Sequence, residues 1–504
     1  MRRPRSFAVF AAQDDVARIV LYALVAAAAL ARLMLQVAAL PPYAGLDEVW
    51  HVARLVFVLQ EGRNPDIREP SVAQYLASAT AGDPAYPADF GHVDAGWPEV
   101  VRRRAVVVDH ATTANYLRSN IEAQQPRLYY SIAGRLGRLI HRTQLAELRF
   151  WRMLSILFAA VIVLATARIG ETFFGMRGIA AAALLVSLPT WLTLVARASN
   201  DAFACMLLAL ALACTFAGST WRAALFWALA LATKLYTWPA LVILLLFWIR
   251  QRTPRLRVIT VAIACAISIA ITIADLALRT HNPLGVLGFD PAATTGVPQP
   301  IRYFEMVKVT LASAVWTSGQ HWNALTLRGM LLYAVPLLAL IVFGVLRSKQ
   351  RRLALFPLAG LAAFTVAQVV HAGGYIRRAR AMGLALPAAG KEGWFWYALA
   401  PLIVATLFPM TPIAITAGWL VGWDVIIHEG ALFHDFAGLT SPATGWWLFR
   451  WGPWHAPFTA DLSHVAVGPF ASHLLALRLI HLGAVAAVFV LESLLHDRNA
   501  HPPG

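Results

Sequence analysis

Apolar stretches of about twenty residues recur along this chain, and that length decides the solvent in which it folds. An α-helix rises 1.5 Å per residue, so about 20 residues are needed to cross the ~30 Å hydrocarbon core of a bilayer. Runs of this kind predict spans at about 17–40, 149–169, 179–196, 200–217, 222–236, 237–249, 258–279, 328–346, 353–371, 394–408, 411–428 and 473–495. Lipid offers no hydrogen-bond partner to an exposed backbone, so such segments must be helical. The predicted fold class is an all-α polytopic membrane protein with about 12 transmembrane helices. Composition agrees: 13% of residues are charged and 59% hydrophobic, where a soluble domain carries roughly a quarter charged residues. Intrinsic disorder is excluded, and a water-soluble enzyme is a poor fit.

The first run reads as a retained span rather than a cleaved signal. It is long and ends at Pro41-Pro42 with no small-residue cleavage site. The formal charge of +16 concentrates in short connections. Arg2, Arg3 and Arg5 precede the first span, Arg250 to Arg257 follow the sixth, and Arg347 to Arg352 follow the eighth. Alternating spans put all three on one side, which the positive-inside rule makes cytoplasmic, together with both termini. The expected location is a bacterial inner (plasma) membrane with the working face extracytoplasmic.

The long connection 41–147 then lies outside. Its arginines are nearly matched by acidic residues, so no clustered basic surface for nucleic acid is apparent. Cys205, Cys214 and Cys265 sit in apolar runs without metal-like spacing and read as small buried hydrophobes. Residues 1–428 are read as one transmembrane catalytic region containing the 41–147 loop, and 429–504 as a His/Trp-rich outside loop plus a last span.

Within the first loop, Asp47, His51 and Arg54 recur at i, i+4 and i+7, so a helix puts them on one face. Val52, Leu55, Val56 and Leu59 form its apolar side, as on a helix lying at a membrane surface. From spacing alone, Asp47 is as well explained as a helix cap, with Glu48 complementing the helix dipole.

The order of further motifs resembles the GT-C superfamily of polytopic glycosyltransferases, which take sugars from polyprenyl-phosphate carriers and include protein O-mannosyltransferases and aminoarabinose transferases. Asp47-Glu48 after the first span matches the family's acidic residue in that loop. Gln124-Gln-Pro-Arg-Leu-Tyr-Tyr130 is similar to the motif that closes the loop, Ala198 to Ala202 to the hairpin between the third and fourth spans, and Ala232 to Pro239 to a lysine-bearing turn. Gly393 to Leu402 resembles the entry to a late helix. The resemblance covers about residues 15–410. It departs from the pattern at Arg127, where a proline is usual, and at Trp394-Phe-Trp396, where an arginine is usual.

The resemblance implies sugar transfer from a polyprenyl-phosphate-linked donor to an acceptor hydroxyl on a glycan, lipid or protein, beside membrane lipids and without nucleic acid. Phosphate is a good leaving group, so one aligned carboxylate base suffices. The resemblance gives that role to Asp47; Glu48 is a secondary candidate that could orient Asp47, bind a metal or touch the acceptor. Lys234, Arg197, Arg377, Arg378 and Arg380 are expected to hold the donor phosphate; His51, Arg127, Tyr129 and Asp201 are expected to line the substrate cavity. Asn200-Asp201 reads foremost as a helix cap. Arg377, Arg378 and Arg380 are placed in an outside loop at 372–393. A divalent metal is an open possibility: His428, Glu429, His434 and Asp435 lie in the late loop, but His428 to His434 lacks the spacing of a zinc-protease motif. Its tryptophans read as an interfacial belt or a sugar-stacking surface. The competing reading is a transporter or flippase of lipid-linked sugars, which would be expected to show inverted repeats and broken midplane helices.

Overall fold

The computed structural model describes residues 5–39, 48–66, 69, 121–139, 144–280, 324–325, 327–381, 393–425, 449–450 and 474–500. These residues are almost entirely helical. α1 spans Arg5–Ala39, α2 Glu48–Glu61, α3 Leu128–Leu136 and α4 Gln144–Phe174. α5 (Met176–Ala181) continues as a 3₁₀ segment to Ser187, and α6 is Pro189–Val195. α7 (Asn200–Phe216), α8 (Thr220–Thr233), α9 (Leu241–Gln251) and α10 (Arg255–Thr280) follow. α11 is Leu327–Arg347, α12 Leu355–Ala381, α13 Ala400–Thr406, α14 Ile413–Trp423 and α15 Leu474–Ala500. Ala324–Leu325 and Phe449–Arg450 form a two-residue antiparallel ladder.

Among the described residues, five helices are long and apolar enough to cross a membrane, or six if the bent pair at 176–195 counts as one span. Shorter apolar helices occupy 200–216, 235–251, 331–347, 396–410 and 413–423. The expected span at 179–196 is thus not one straight rod. It bends by 75° at Leu188–Pro189, because proline cannot donate to the turn before it and disfavours α conformation at the preceding residue. Leu188 accordingly takes an extended backbone. Many large apolar side chains on the outer faces, such as Ile259, Ile263, Ile267 and Ile271 on α10, stay exposed. Their i, i+4 spacing makes one stripe, which a bilayer covers and water would not.

The core gathers α1, α4, α5, α7, α8 and α13. α4 and α5 meet where Gly170 and Gly178 cross: a Cβ on Gly178 would lie 2.0 Å from the Gly170 carbonyl oxygen. On the other side, α1 runs along α15. There Arg32 on α1 makes a two-point ion pair with Asp424 (2.6 and 2.8 Å), both fully buried, and His481 on α15 bonds the Ala28 carbonyl at 3.1 Å. Lipid cannot solvate an isolated guanidinium, so the pair fixes which face of α1 meets the end of α14.

A smaller core holds the described parts of the first loop. Val52, Leu55, Val56 and Val58 of α2 pack with Tyr129, Tyr130 and Ala133 of α3 and Trp151 of α4. Trp151 Nε1 donates to the Ala133 carbonyl at 3.0 Å. α2 is not the one-sided surface helix that its periodicity predicts. His51 and Arg54 are as buried as its apolar residues, because segment 121–130 lies over the polar side.

Candidate active site

α2 begins with Glu48, and the side chain is fully buried. Arg152, on the first turns of α4, grips it with both prongs: Nε to Oε1 at 2.9 Å and Nη2 to Oε2 at 2.6 Å. The Ala198 amide donates to Oε1 at 2.9 Å. Burial alone would raise the pKa of this carboxyl, but the Arg152 charge and hydrogen bonds, the Ala198 amide and nearby Arg197 outweigh it and hold it below the ordinary value. Glu48 is therefore an anion pinning α2 to α4 and to the α6–α7 turn. The pairing was legible as a problem, since an arginine a few residues into a span demands a partner.

The same turn supplies the next layer. Ser199 is the N-cap of α7, its side chain accepting from the Asp201 amide at 3.3 Å. The expected cap role of Asn200-Asp201 is thus taken by the residue before them. Asp201, released from capping, is buried and draws three donors. Lys234 Nζ and Arg197 Nη2 both form short ion pairs with it, and the Tyr397 hydroxyl donates to Oδ1 at 2.7 Å. Lys234 also reaches Asn200 Oδ1 at 3.5 Å. It is the C-cap of α8, in extended conformation, at the break where a 3₁₀ segment Leu235–Ala240 leads into α9.

Among the described residues this interior thus holds three cations, Arg152, Arg197 and Lys234, against two carboxylates, Glu48 and Asp201. Two further donor groups are buried and unmatched: Arg197 Nε and Nη1, and the Asn200 side-chain amide. Leaving several charged or amide N–H groups unpaired in a dry site costs a few kcal/mol each. These Arg197 and Asn200 atoms are all donors, so the group that would match them is an acceptor-rich anion. A metal ion fits this set badly. Both carboxylates face guanidinium or ammonium groups, which repel a dication, and no three His, Cys, Asp or Glu side chains among the described residues converge.

A second polar layer lies above α2. Tyr130 donates its hydroxyl proton to Glu122 at 2.7 Å, so its oxygen accepts from His51 Nδ1 at 2.6 Å, which assigns that nitrogen the proton. Burial and the Glu122 carboxylate push the Tyr130 phenol well above its ordinary value, so it stays protonated. Arg54 stacks 3.8 Å over the Tyr130 ring and donates to the carbonyls of Glu122 and Gln125 and to Asn64. Tyr129 is buried against Phe203 and Tyr130. Arg127 is exposed and lies 3.4 Å from Asp275, which Arg279 also holds. Arg279 in turn donates to the Ala123 and Gln125 carbonyls, tying the end of α10 to the 121–125 segment.

The structure therefore brings together Glu48, Arg197, Asp201 and Lys234, with His51 and Tyr129 packed next to them and Arg127 on the rim. Asn200, expected only as a helix cap, joins them, as do Arg152, Glu122 and Tyr397, to which the motifs gave no role. Tyr397 sits inside the Gly393 to Leu402 motif, but only a tertiary contact reveals its partner. Asp47 lies outside the described residues, as does the His/Trp-rich loop apart from Phe449–Arg450. Arg377, Arg378 and Arg380 are not in a loop. α12 continues to Ala381 and carries them on its last turns; their side chains lie outside the described residues. Cys205 and Cys265 are buried and Cys214 half-buried, all three as free thiols.

No protein-family model matches the chain, and no curated protein matches it either. Among solved structures, two crystal structures of ArnT from Cupriavidus metallidurans are similar to it. The form bound to undecaprenyl phosphate shares 13% identity at a TM-score of 0.48, over 94% of this chain and 74% of that one. The apo form shares 14% identity at a TM-score of 0.46, over 91% and 72%.

Proposed function

We propose that this chain is a membrane glycosyltransferase of the GT-C type. In this reading it moves a sugar from a polyprenyl-phosphate carrier to an acceptor hydroxyl at the extracytoplasmic face. The observation that carries the reading is the buried donor set of Arg197, Asn200 and Lys234. Among the described residues, the Arg197 Nε and Nη1 atoms and the Asn200 side-chain amide of this set are buried with no acceptor. A phosphate monoester or diester is the acceptor-rich anion such a seat selects.

The reaction breaks the bond between the anomeric carbon and the carrier phosphate and forms one to the acceptor oxygen. Asp47 takes the acceptor proton. Arg197, Lys234 and the Asn200 amide hold the charge left on the carrier, and Arg377, Arg378 and Arg380 add positive potential from the end of α12. Asp47 is covalently next to Glu48, whose carboxylate Arg152 and the Ala198 amide fasten beside this seat. That attachment supports base and leaving group as neighbours. His51, Tyr129 and Arg127 lie on the acceptor side.

The test is transfer of labelled sugar from an undecaprenyl-phosphate donor in proteoliposomes, with binding of undecaprenyl phosphate measured separately. Asp47→Asn should abolish transfer and leave binding intact. Lys234→Ala should weaken binding about tenfold or more. Full transfer by Asp47→Asn would overturn the base assignment, and unchanged binding by both Lys234→Ala and Arg197→Gln would overturn the seat.

A further inference from the structure

At the opposite end of the helix bundle lies a cavity that the proposed reaction does not use. Its volume is about 380 Å³, and it opens between the end of α4, the α7–α8 turn, the end of α9 and the start of α10. That is within the range of small-ligand sites. α4 links the two ends: Arg152 contacts Glu48, and Phe173 lines the cavity, 21 residues later and so about 31 Å along the helix, one hydrocarbon thickness away.

The walls divide by chemistry. Phe173, Phe216 and Phe247 form an edge-on aromatic row, with centroids 5.2 and 4.8 Å apart, and Trp248 completes the apolar side. The polar part of the lining includes Ser219, Thr220 and Arg257. The Arg257 Nη1 comes within 3.6 Å of where a side chain on Gly218 would begin, so the guanidinium reaches over the α7–α8 turn. No carboxylate lines the cavity. The nearest along the chain, Glu171, is already engaged by Arg18, Arg168 and the Tyr22 hydroxyl, and Arg257 has no acidic partner among the described residues. Around the mouth the charge is of one sign, since Arg250, Arg252 and Arg255 stand exposed between α9 and α10. The Arg347–Arg352 turn lies at the same end, where Gln350 donates to the Phe173 carbonyl at 2.8 Å.

We propose that this cavity seats an anionic phospholipid of the cytoplasmic leaflet. The phosphate sits by Arg257 and the Ser219 and Thr220 hydroxyls, and the first acyl carbons lie against Phe173, Phe216 and Phe247. Arginine clustering makes this end cytoplasmic. A basic pocket between transmembrane helices at that surface meets an anionic leaflet, and each arginine there adds favourable energy toward it. The aromatic wall selects a lipid over a free anion, because inorganic phosphate gains nothing from three phenyl faces. The seat stands independently of the glycosyltransferase reading.

The experiment reconstitutes the full chain in nanodiscs of phosphatidylglycerol and phosphatidylethanolamine, and counts by native mass spectrometry the lipids retained on release. Wild type should keep phosphatidylglycerol in excess over its share of the bilayer. Arg257→Gln should lower that retention about fivefold, the worth of one cation at an anionic surface, without changing phosphatidylethanolamine. Thr220→Trp, which fills the cavity without altering charge, should remove it. Arg255→Gln loses the same charge outside the cavity wall and should lower retention by clearly less than Arg257→Gln does. Arg257 is exposed, so its replacement tests binding rather than folding. Equal losses in Arg255→Gln and Arg257→Gln would overturn the seat in favour of a diffuse basic belt. Equal retention of the two lipids in wild type, or displacement by millimolar inorganic phosphate, would also overturn it.

Discussion

Replacing Glu48 by glutamine separates a structural anion from a chemical base. In the wild type both carboxylate oxygens are taken, Oε1 by Arg152 Nε and the Ala198 amide and Oε2 by Arg152 Nη2, and both side chains are essentially inaccessible. Glutamine keeps the shape and can still accept from Ala198, but Arg152 then loses the buried carboxylate that two of its nitrogens grip. Breaking a buried pair from one side costs about 3–5 kcal/mol, a factor of roughly 150 to several thousand in the unfolding equilibrium. Specific unfolding entropies put a chain of this length near roughly 1 kcal/mol per kelvin, so the midpoint should fall by about 3–5 °C. Thermal unfolding in detergent, followed by tryptophan fluorescence, reads this directly. Sugar transfer measured well below the midpoint should persist within a few-fold, and Arg152→Gln added to Glu48→Gln should restore most of the stability. The reasoning fails if Glu48→Gln unfolds at the wild-type temperature while transfer drops a thousandfold. That result would make Glu48 the base and Arg152 its activator.

Other consequences follow from the same geometry. Because the Glu48 pKa is depressed when folded, its contribution is complete above its ordinary value of 4.5 and is lost as pH falls through the lower folded value. Midpoints should thus be level at mildly acidic pH and decline below that, and Glu48→Gln should flatten this part of the decline. Asp201→Asn removes the carboxylate that Arg197 and Lys234 share, so the resting protein should lose stability, and undecaprenyl phosphate should raise its midpoint by more than it raises the wild type's. Equal ligand-induced shifts would contradict an anion seat there. Arg32→Met should destabilise by about 3–5 kcal/mol, whereas Arg32→Met with Asp424→Leu should recover most of that loss; denaturation of the pair of variants checks it. Gly134→Ala would bring a Cβ to 2.8 Å from Val58 Cβ, so α2 and α3 must part, costing about 1–3 kcal/mol, measurable as faster proteolysis of the first loop.

Each level of this protein becomes legible for a different physical reason. The span positions follow from local hydropathy, because the bilayer acts on every segment separately. The helices at 5–39, 144–174, 200–216 and 255–280 fall where apolar length predicts them. The motifs around Glu48, Ala198 to Ala202, Lys234 and Gly393 to Leu402 mark stretches that do converge. What each residue does there was not readable from its own neighbours. Spacing made α2 a surface helix and Asn200-Asp201 a cap, yet a segment about 60 residues further on covers the polar side of α2, and Ser199 does the capping. A buried carboxylate is a base, a pin or a counter-ion according to which cations meet it. Those cations arrive from Arg152, Arg197 and Lys234, on three elements that hydropathy alone cannot orient about their own axes. Sequence by itself determined which segments form long apolar helices, because apolar length is a property of one segment. Only the tertiary structure decided which charges are neutralised, because Coulomb interactions in a dry interior depend on contacts between segments.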